Sequence, residues 1–242
     1  MNIAVIFAGG VGSRMQSKGL PKQFLSMHGR PIIAYTIEVF QETAEIDAIV
    51  ISCVAEWIDH LKEIVRKYKF TKVVGIVPGG ETGQLSIYSG LCEAERIAGD
   101  EKSIVLIHDG VRPLISEKTI VDNIESVKER GSGITCVPLK ETVLATDETN
   151  LIKAIPDRDS SRLARAPQSF WLHELLEAHR RAMAEDKLSF IDSCSMMKYY
   201  GKELYLVDGP EINIKVTTPE DFYIMRALID AKENAQIYGV EE

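Results

Sequence analysis

Short, wholly apolar runs alternate with helical patterns along the first half of the chain, and this alternation restricts the fold more than any other feature. Residues 3–7 (IAVIF), 48–54 (AIVISCV), 73–77 (VVGIV), 104–107 (IVLI) and 134–137 (ITCV) read as strands. Residues 31–40, 56–68, 85–98 and 116–129 read as the intervening helices. Ile58, Leu61, Ile64 and Val65 recur at helical spacing, Pro31 sits where a missing N–H costs little, and Ser116 is a capping residue. Strands that are apolar throughout need cover on both faces, so the pattern predicts an α/β fold with a mostly parallel sheet in a three-layer arrangement. Ligands of such sheets sit beyond the carboxyl ends of the strands. Glycines follow three of the strands, at Gly9, Gly79 and Gly110, which points to one shared site. The 242 residues fit one large domain, 1–242, with no repeat or linker to divide it.

The pattern changes after Pro138. Residues 142–145 and 151–155 flank the polar turn TDETN and predict a β-hairpin arm at about 138–158 with few core residues. Such a hairpin rests on a partner subunit or stands as a solvent-exposed flap. Helices are expected over 171–184 and 194–200, strands over 204–207 and 212–216, a last helix from Pro219 to about 231, and a frayed tail over 233–242.

The loop after the first strand, residues 8–24 (AGGVGSRMQSKGLPKQF), holds four glycines, one arginine, two lysines and no acidic residue. Bare backbone can approach an anion closely and wrap it with N–H groups, while Arg14 and Lys22 add full charges. A nucleotide triphosphate cradle is the expectation. It is not a Walker loop, because Gly19 and Gln23 follow the lysines. It is not a dinucleotide turn, because Met15 stands at the third glycine position, which disfavours an NAD-dependent reductase. A net charge of −8 argues against a nucleic-acid partner. No apolar run reaches the ~18 residues of a membrane span. The start of the chain does not read as a signal peptide, so a cytoplasmic protein is expected. Cys53, Cys92, Cys136 and Cys194 lie far apart with no C-x-x-C pair, which suits reduced thiols rather than a zinc site.

Six motifs in order, AGGVGSRM, LPKQF, GGETGQLSI, HDGVRP, APQSF and NIKVTTPED, span Ala8 to Asp221. Together they resemble the cytidylyltransferases that act on polyol phosphates: the methylerythritol phosphate enzymes of isoprenoid synthesis and the ribitol phosphate enzymes of polymer synthesis. The resemblance implies a Rossmann-like nucleotidyltransferase in which a phosphate oxygen of the acceptor attacks the α-phosphorus of CTP and pyrophosphate leaves. Positioning and charge stabilisation then carry catalysis, with no protein nucleophile. By likeness Arg14 and Lys22 stabilise the triphosphate, and Ala8, Gly9, Gly10, Gly12, Ser13, Gly80, Glu81, Ser86, Asp109 and Gly110 surround the nucleotide. Asp109 would also bind Mg²⁺. Thr142, Arg158 and Lys215 would hold the acceptor, Arg158 reaching the site of the other subunit of a homodimer joined through the arm. His108 is not expected in catalysis, since no proton leaves the nucleophile, and Arg112 is expected to pair beneath the loop.

The chain departs from the family pattern at three positions. Gly83 stands for an arginine, and Ala166 and Ile191 stand for threonines. Lost hydroxyls change selectivity for a polyol. The AGG and DSCS stretches lean toward ribitol 5-phosphate as acceptor. The alternatives are methylerythritol phosphate and a non-catalytic nucleotide-binding relative.

Overall fold

The computed structural model describes residues 1–9 and 19–238. β1 (Asn2–Ala8) is followed by a 3-10 turn (Lys22–Phe24), a small antiparallel pair, β2 (Ser26–Met27) and β3 (Arg30–Pro31), and α1 (Ile32–Glu42). Then come β4 (Ala48–Cys53), α2 (Ile58–Tyr68), β5 (Val73–Pro78), α3 (Gly83–Ala98), β6 (Ile104–Asp109), α4 (Glu117–Arg130) and β7 (Ser132–Pro138). β8 (Ala145–Thr146) and β9 (Ile152–Ala154) form a separate hairpin. β10 (Arg162–Trp171), α5 (Leu172–Ala184), α6 (Ser193–Tyr199), β11 (Leu206–Asp208) and α7 (Pro219–Tyr238) complete the chain.

Seven strands form one sheet in the order β11-β7-β10-β6-β1-β4-β5. All neighbours run parallel except β10, which is antiparallel to both β6 and β7. Both faces are covered, as wholly apolar strands require. Along β1, Ala4, Ile6 and Ala8 join a core with α1, α2 and α4, while Ile3 and Val5 join another with α3, α5 and α6. Helix α3 lies close against β1 because Gly90 faces it: a Cβ there would stand 2.6 Å from Val5 Cγ1. No described helix is long and apolar enough to cross a membrane.

The caps follow the local sequence. Ser116 Oγ accepts from Thr119 N at the start of α4, and Gly131 ends it in the left-handed region at φ 88°. At α7, Thr218 Oγ1 accepts from Asp221 N, and Asp221 Oδ2 accepts from Thr217 N and Thr218 N at 2.8 Å each. This is a reciprocal capping box, with Pro219 in the first turn.

Two expectations are corrected and one strand is added. Residues 162–171, to which the sequence reading assigned no strand, form β10, which pairs on both sides of a register shift between Ala164 and Gln168 despite Pro167. Residues 212–216 alternate as a strand would but join no ladder. Asn213 is buried instead, donating through Nδ2 to Ala166 O at 2.8 Å, and Val216 N bonds Val111 O at 2.9 Å. The last helix does not stop near 231, since α7 runs to Tyr238.

The arm is present. The β7–β10 ladder reaches Pro138 opposite Arg162, and the chain between them leaves the body of the protein. Its turn is held by Asp147, whose Oδ1 accepts from Thr149 N, Thr149 Oγ1 and Leu151 N. Val143, Leu144, Leu151, Ile152 and Ile155 on it are exposed.

Candidate functional site

The carboxyl ends of β1, β5 and β6 meet at the glycine loops. Gly9 and Gly79 both lie against Ser86: a Cβ at Gly9 would stand 2.7 Å from Ser86 Oγ, and one at Gly79 3.0 Å. Ser86 Oγ is buried, accepts from Gly80 N at 3.1 Å and donates to Thr82 O at 2.9 Å, so it ties the loop after β5 to the first turn of α3 while lying against Gly9. Gly110 N bonds Phe7 O at 3.0 Å beside Ala8. The end of β1 is also gripped by Gln23, a buried residue that sequence reasoning passed over, which donates to Ala8 O at 2.7 Å. Lys22, next to Gln23, is thereby carried to the same strand end. Phe24 anchors the turn by stacking on Trp57 with ring centroids 5.2 Å apart. Glu81 is exposed. Gly10, Gly12, Ser13 and Arg14 lie outside the described residues.

Beside this edge, a cavity of about 290 Å³ opens between β6, β10, α3, α5 and α6. Asp109 ends β6 and faces it, whereas His108 points to the opposite face, its ring edge-on to Phe40 at 5.0 Å and its Nε2 3.0 Å from Arg112 O. Asp109 is buried between two cations. Lys215 Nζ lies 2.5 Å from Oδ1 and Arg112 Nε 3.2 Å from Oδ2. Burial pushes the carboxyl up, but Lys215 and then Arg112 more than offset this, holding it at about 2. It is therefore ionised at neutral pH. Arg112 is buried and fixed by a second bond, Nη1 to Asn213 O at 2.7 Å. The Lys215 side chain is 41% exposed. Arg165 Nη1 donates to the same Asn213 carbonyl at 2.8 Å. Burial first, then the Arg112 charge, lowers its pKa. Two cations on one carboxylate, with Arg165 beside Arg112, leave a net positive end, suited to a phosphate. One buried, ionised carboxylate also fits a divalent cation that takes its other ligands from phosphate and water, as magnesium does. Among the described residues no group of three or more His, Cys, Asp or Glu side chains converges to hold a metal by itself.

All three departures from the family pattern, Gly83, Ala166 and Ile191, line this cavity. A Cβ at Gly83 would meet nothing within 4 Å, so a side chain could leave the backbone there without a clash. Gln168 and Asp192 line it too, but their polar atoms are committed: Gln168 Nε2 donates to Asp192 Oδ2 at 3.0 Å, Gln168 Oε1 accepts from Cys194 N, and Asp192 Oδ1 accepts from Ser195 N. Sequence reading found Asp109 and Lys215, residues 106 positions apart, and the structure joins them. It missed Arg165, Gln168 and Asn213; the APQSF and NIKVTTPED motifs that contain or adjoin them were the available signal. Thr142 and Arg158 are exposed on the arm and do not line the cavity, Arg158 lying 3.8 Å from its neighbour Asp159. Lys22 does not line it either.

The chain matches the family model described as IspD, 2-C-methyl-D-erythritol 4-phosphate cytidylyltransferase, over residues 2–231. A ribitol-5-phosphate cytidylyltransferase of Streptococcus agalactiae serotype V is 53% identical over 240 residues, spanning 99% of this chain and all of the relative. One from Vibrio parahaemolyticus serotype O3:K6 is 51% identical over 239 residues, with the same coverage. Among solved structures, the 4-diphosphocytidyl-2C-methyl-D-erythritol synthase of Anaerococcus prevotii superimposes with a TM-score of 0.80 at 27% identity, covering 95% of this chain and 96% of that one.

Proposed function

The chain belongs to the 2-C-methyl-D-erythritol 4-phosphate cytidylyltransferase (IspD) family, and from that premise we propose that it transfers CMP from CTP to ribitol 5-phosphate, releasing pyrophosphate. The observation that carries the acceptor assignment is identity above one half, over the full length, to ribitol-5-phosphate cytidylyltransferases from two genera. The solved methylerythritol enzyme of Anaerococcus prevotii is 27% identical.

The chemistry needs two anionic reactants brought in line with their repulsion screened. In this reading CTP lies over the glycine loops, against Ala8, Gly9, Gly80, Glu81, Ser86 and Gly110, with Gly10, Gly12 and Ser13 completing the cradle. Arg14 and Lys22 neutralise the triphosphate and the charge that develops as pyrophosphate departs. Lys215, on a flexible stem and partly exposed, turns from Asp109 to the arriving acceptor phosphate, while the doubly bonded Arg112 keeps Asp109 in place. Asp109 would hold Mg²⁺, which when bound supplies Lewis-acid neutralisation of the triphosphate oxygens.

Thr142 and Arg158 complete the acceptor site of a second copy. Their position on an exposed arm carrying Val143, Leu144, Leu151, Ile152 and Ile155 supports a homodimer formed through that arm. Four free cysteines, buried or half-buried, suit a reducing cytoplasm. The test is pyrophosphate release with each of four nucleoside triphosphates against a panel of polyol phosphates. CTP with ribitol 5-phosphate should give the highest kcat/KM, and a higher value with methylerythritol phosphate would overturn the acceptor assignment.

A further inference from the structure

The cavity next to Asp109 has two polar ends. One is the cationic end at Lys215, Arg112 and Arg165. The other lies between α3, α5 and α6, across the apolar stretch made by Ile87, Ile107 and Met196. At that far end two buried side chains have polar atoms without a protein partner. His179 is 1% exposed, and neither Nδ1 nor Nε2 makes a hydrogen bond. Ser193 is 2% exposed, and its Oγ is likewise unbonded. Both line the cavity.

Buried polar groups are nearly always satisfied, and leaving one unpaired is costly. Their neighbours cannot relieve them. Gln84 is occupied at both ends, donating to Lys187 O at 2.8 Å and accepting from Phe190 N at 2.9 Å. Gln168 and Asp192 are bonded to each other and to the first turn of α6. The His179 ring is held in place by stacking on Tyr88, with centroids 5.8 Å apart. Burial lowers its pKa to about 4, so the ring is neutral at physiological pH and offers one donor and one acceptor. A serine hydroxyl offers the same pair. Sites that present a donor and an acceptor together, with no charge, match alcohol groups.

We propose that His179 and Ser193 form the far end of the acceptor subsite and hydrogen-bond the distal hydroxyls of a linear polyol phosphate whose phosphate lies at Lys215 and Arg165. This rests on the cytidylyltransferase reading and sharpens it. Ala166 and Ile191 leave the middle of the cavity without the family's threonine hydroxyls, so recognition of the polyol falls on its far end.

The test uses His179→Phe, which keeps the stacked ring and removes both nitrogens, Ser193→Ala, and the double variant. Acceptor KM is measured at saturating CTP for ribitol 5-phosphate and for 1-deoxyribitol 5-phosphate, which lacks only the terminal hydroxyl. Wild type should favour ribitol 5-phosphate about tenfold, the scale of one hydrogen bond to a buried partner. The double variant should lose that preference, with the KM for CTP unchanged within about twofold. A preference retained in the double variant, or an equal loss for both acceptors, overturns the proposal. Should His179→Phe fail to fold, Ser193→Ala alone decides: no rise in the ribitol 5-phosphate KM overturns it. Wild type that releases no pyrophosphate with any polyol phosphate refutes the cytidylyltransferase reading itself, a different outcome from an intact enzyme indifferent to these two side chains.

Discussion

Replacing Lys215 by methionine separates the charge of that side chain from its bulk. The ammonium is one of two cations on a buried carboxylate, at 2.5 Å, but it is 41% exposed while its companion Arg112 is buried. Its stability share is accordingly modest. Breaking a buried pair costs about 3–5 kcal/mol, yet here Arg112 stays on Asp109 and solvent reaches the lysine, so the expected loss is roughly 1 kcal/mol. The kinetic share is larger. A preorganised cation facing a transferring phosphate contributes on the order of 3 kcal/mol, which is about a hundredfold in rate. Initial rates of pyrophosphate release at saturating CTP, with ribitol 5-phosphate varied, should show acceptor kcat/KM falling at least about a hundredfold. Urea unfolding should show the small stability loss. A fall of less than about tenfold, or one confined to the KM for CTP, would refute the placing of Lys215 at the acceptor phosphate.

Four further outcomes are expected. Gly90→Val drives a side chain into Val5, 2.6 Å from its first carbon, and should destabilise by about 1–3 kcal/mol in urea unfolding. His179 has its folded pKa depressed from 6.5 to about 4, so it favours folding fully above pH 6.5 and that contribution fades as pH falls toward 4. Its share of the acid-side loss, at most roughly 3 kcal/mol, should vanish in His179→Phe when stability is followed from pH 7 to 4. Ile152→Asp with Ile155→Asp should convert a dimer to a monomer in sedimentation and abolish turnover if the arm serves a second copy; a wild-type monomer with full activity would refute that use of the arm. Gly83→Arg enters open space, so its melting temperature should match or exceed wild type while the KM for CTP falls.

Local signals made much of the fold legible. Strands buried on both faces announced a covered parallel sheet, and Ser116 and Pro219 marked helix starts because capping acts within a few residues. The arm was legible for the same reason: a polar turn at Asp147 between short apolar runs with nothing nearby to bury them. β10 was not legible, because its pairing partners β6 and β7 supply the order that Pro167 and the arginines withhold from its own pattern. The misread stretch 212–216 shows the converse. Alternation reports which residues are buried, and Asn213 and Val216 are buried by contact with Ala166 and Val111 rather than by a ladder.

By itself, the order of residues determined the sheet class, the glycine loops at strand ends and the motifs that mark Asp109 and Lys215, since each depends on neighbours along the chain. Tertiary structure alone decided that Lys215 meets Asp109, that Arg112 and Arg165 share the Asn213 carbonyl, and that His179 and Ser193 face one cavity with polar atoms unpaired. Burial and hydrogen-bond partnership arise between segments far apart in sequence, and their energies exist only once the sheet has brought those segments together.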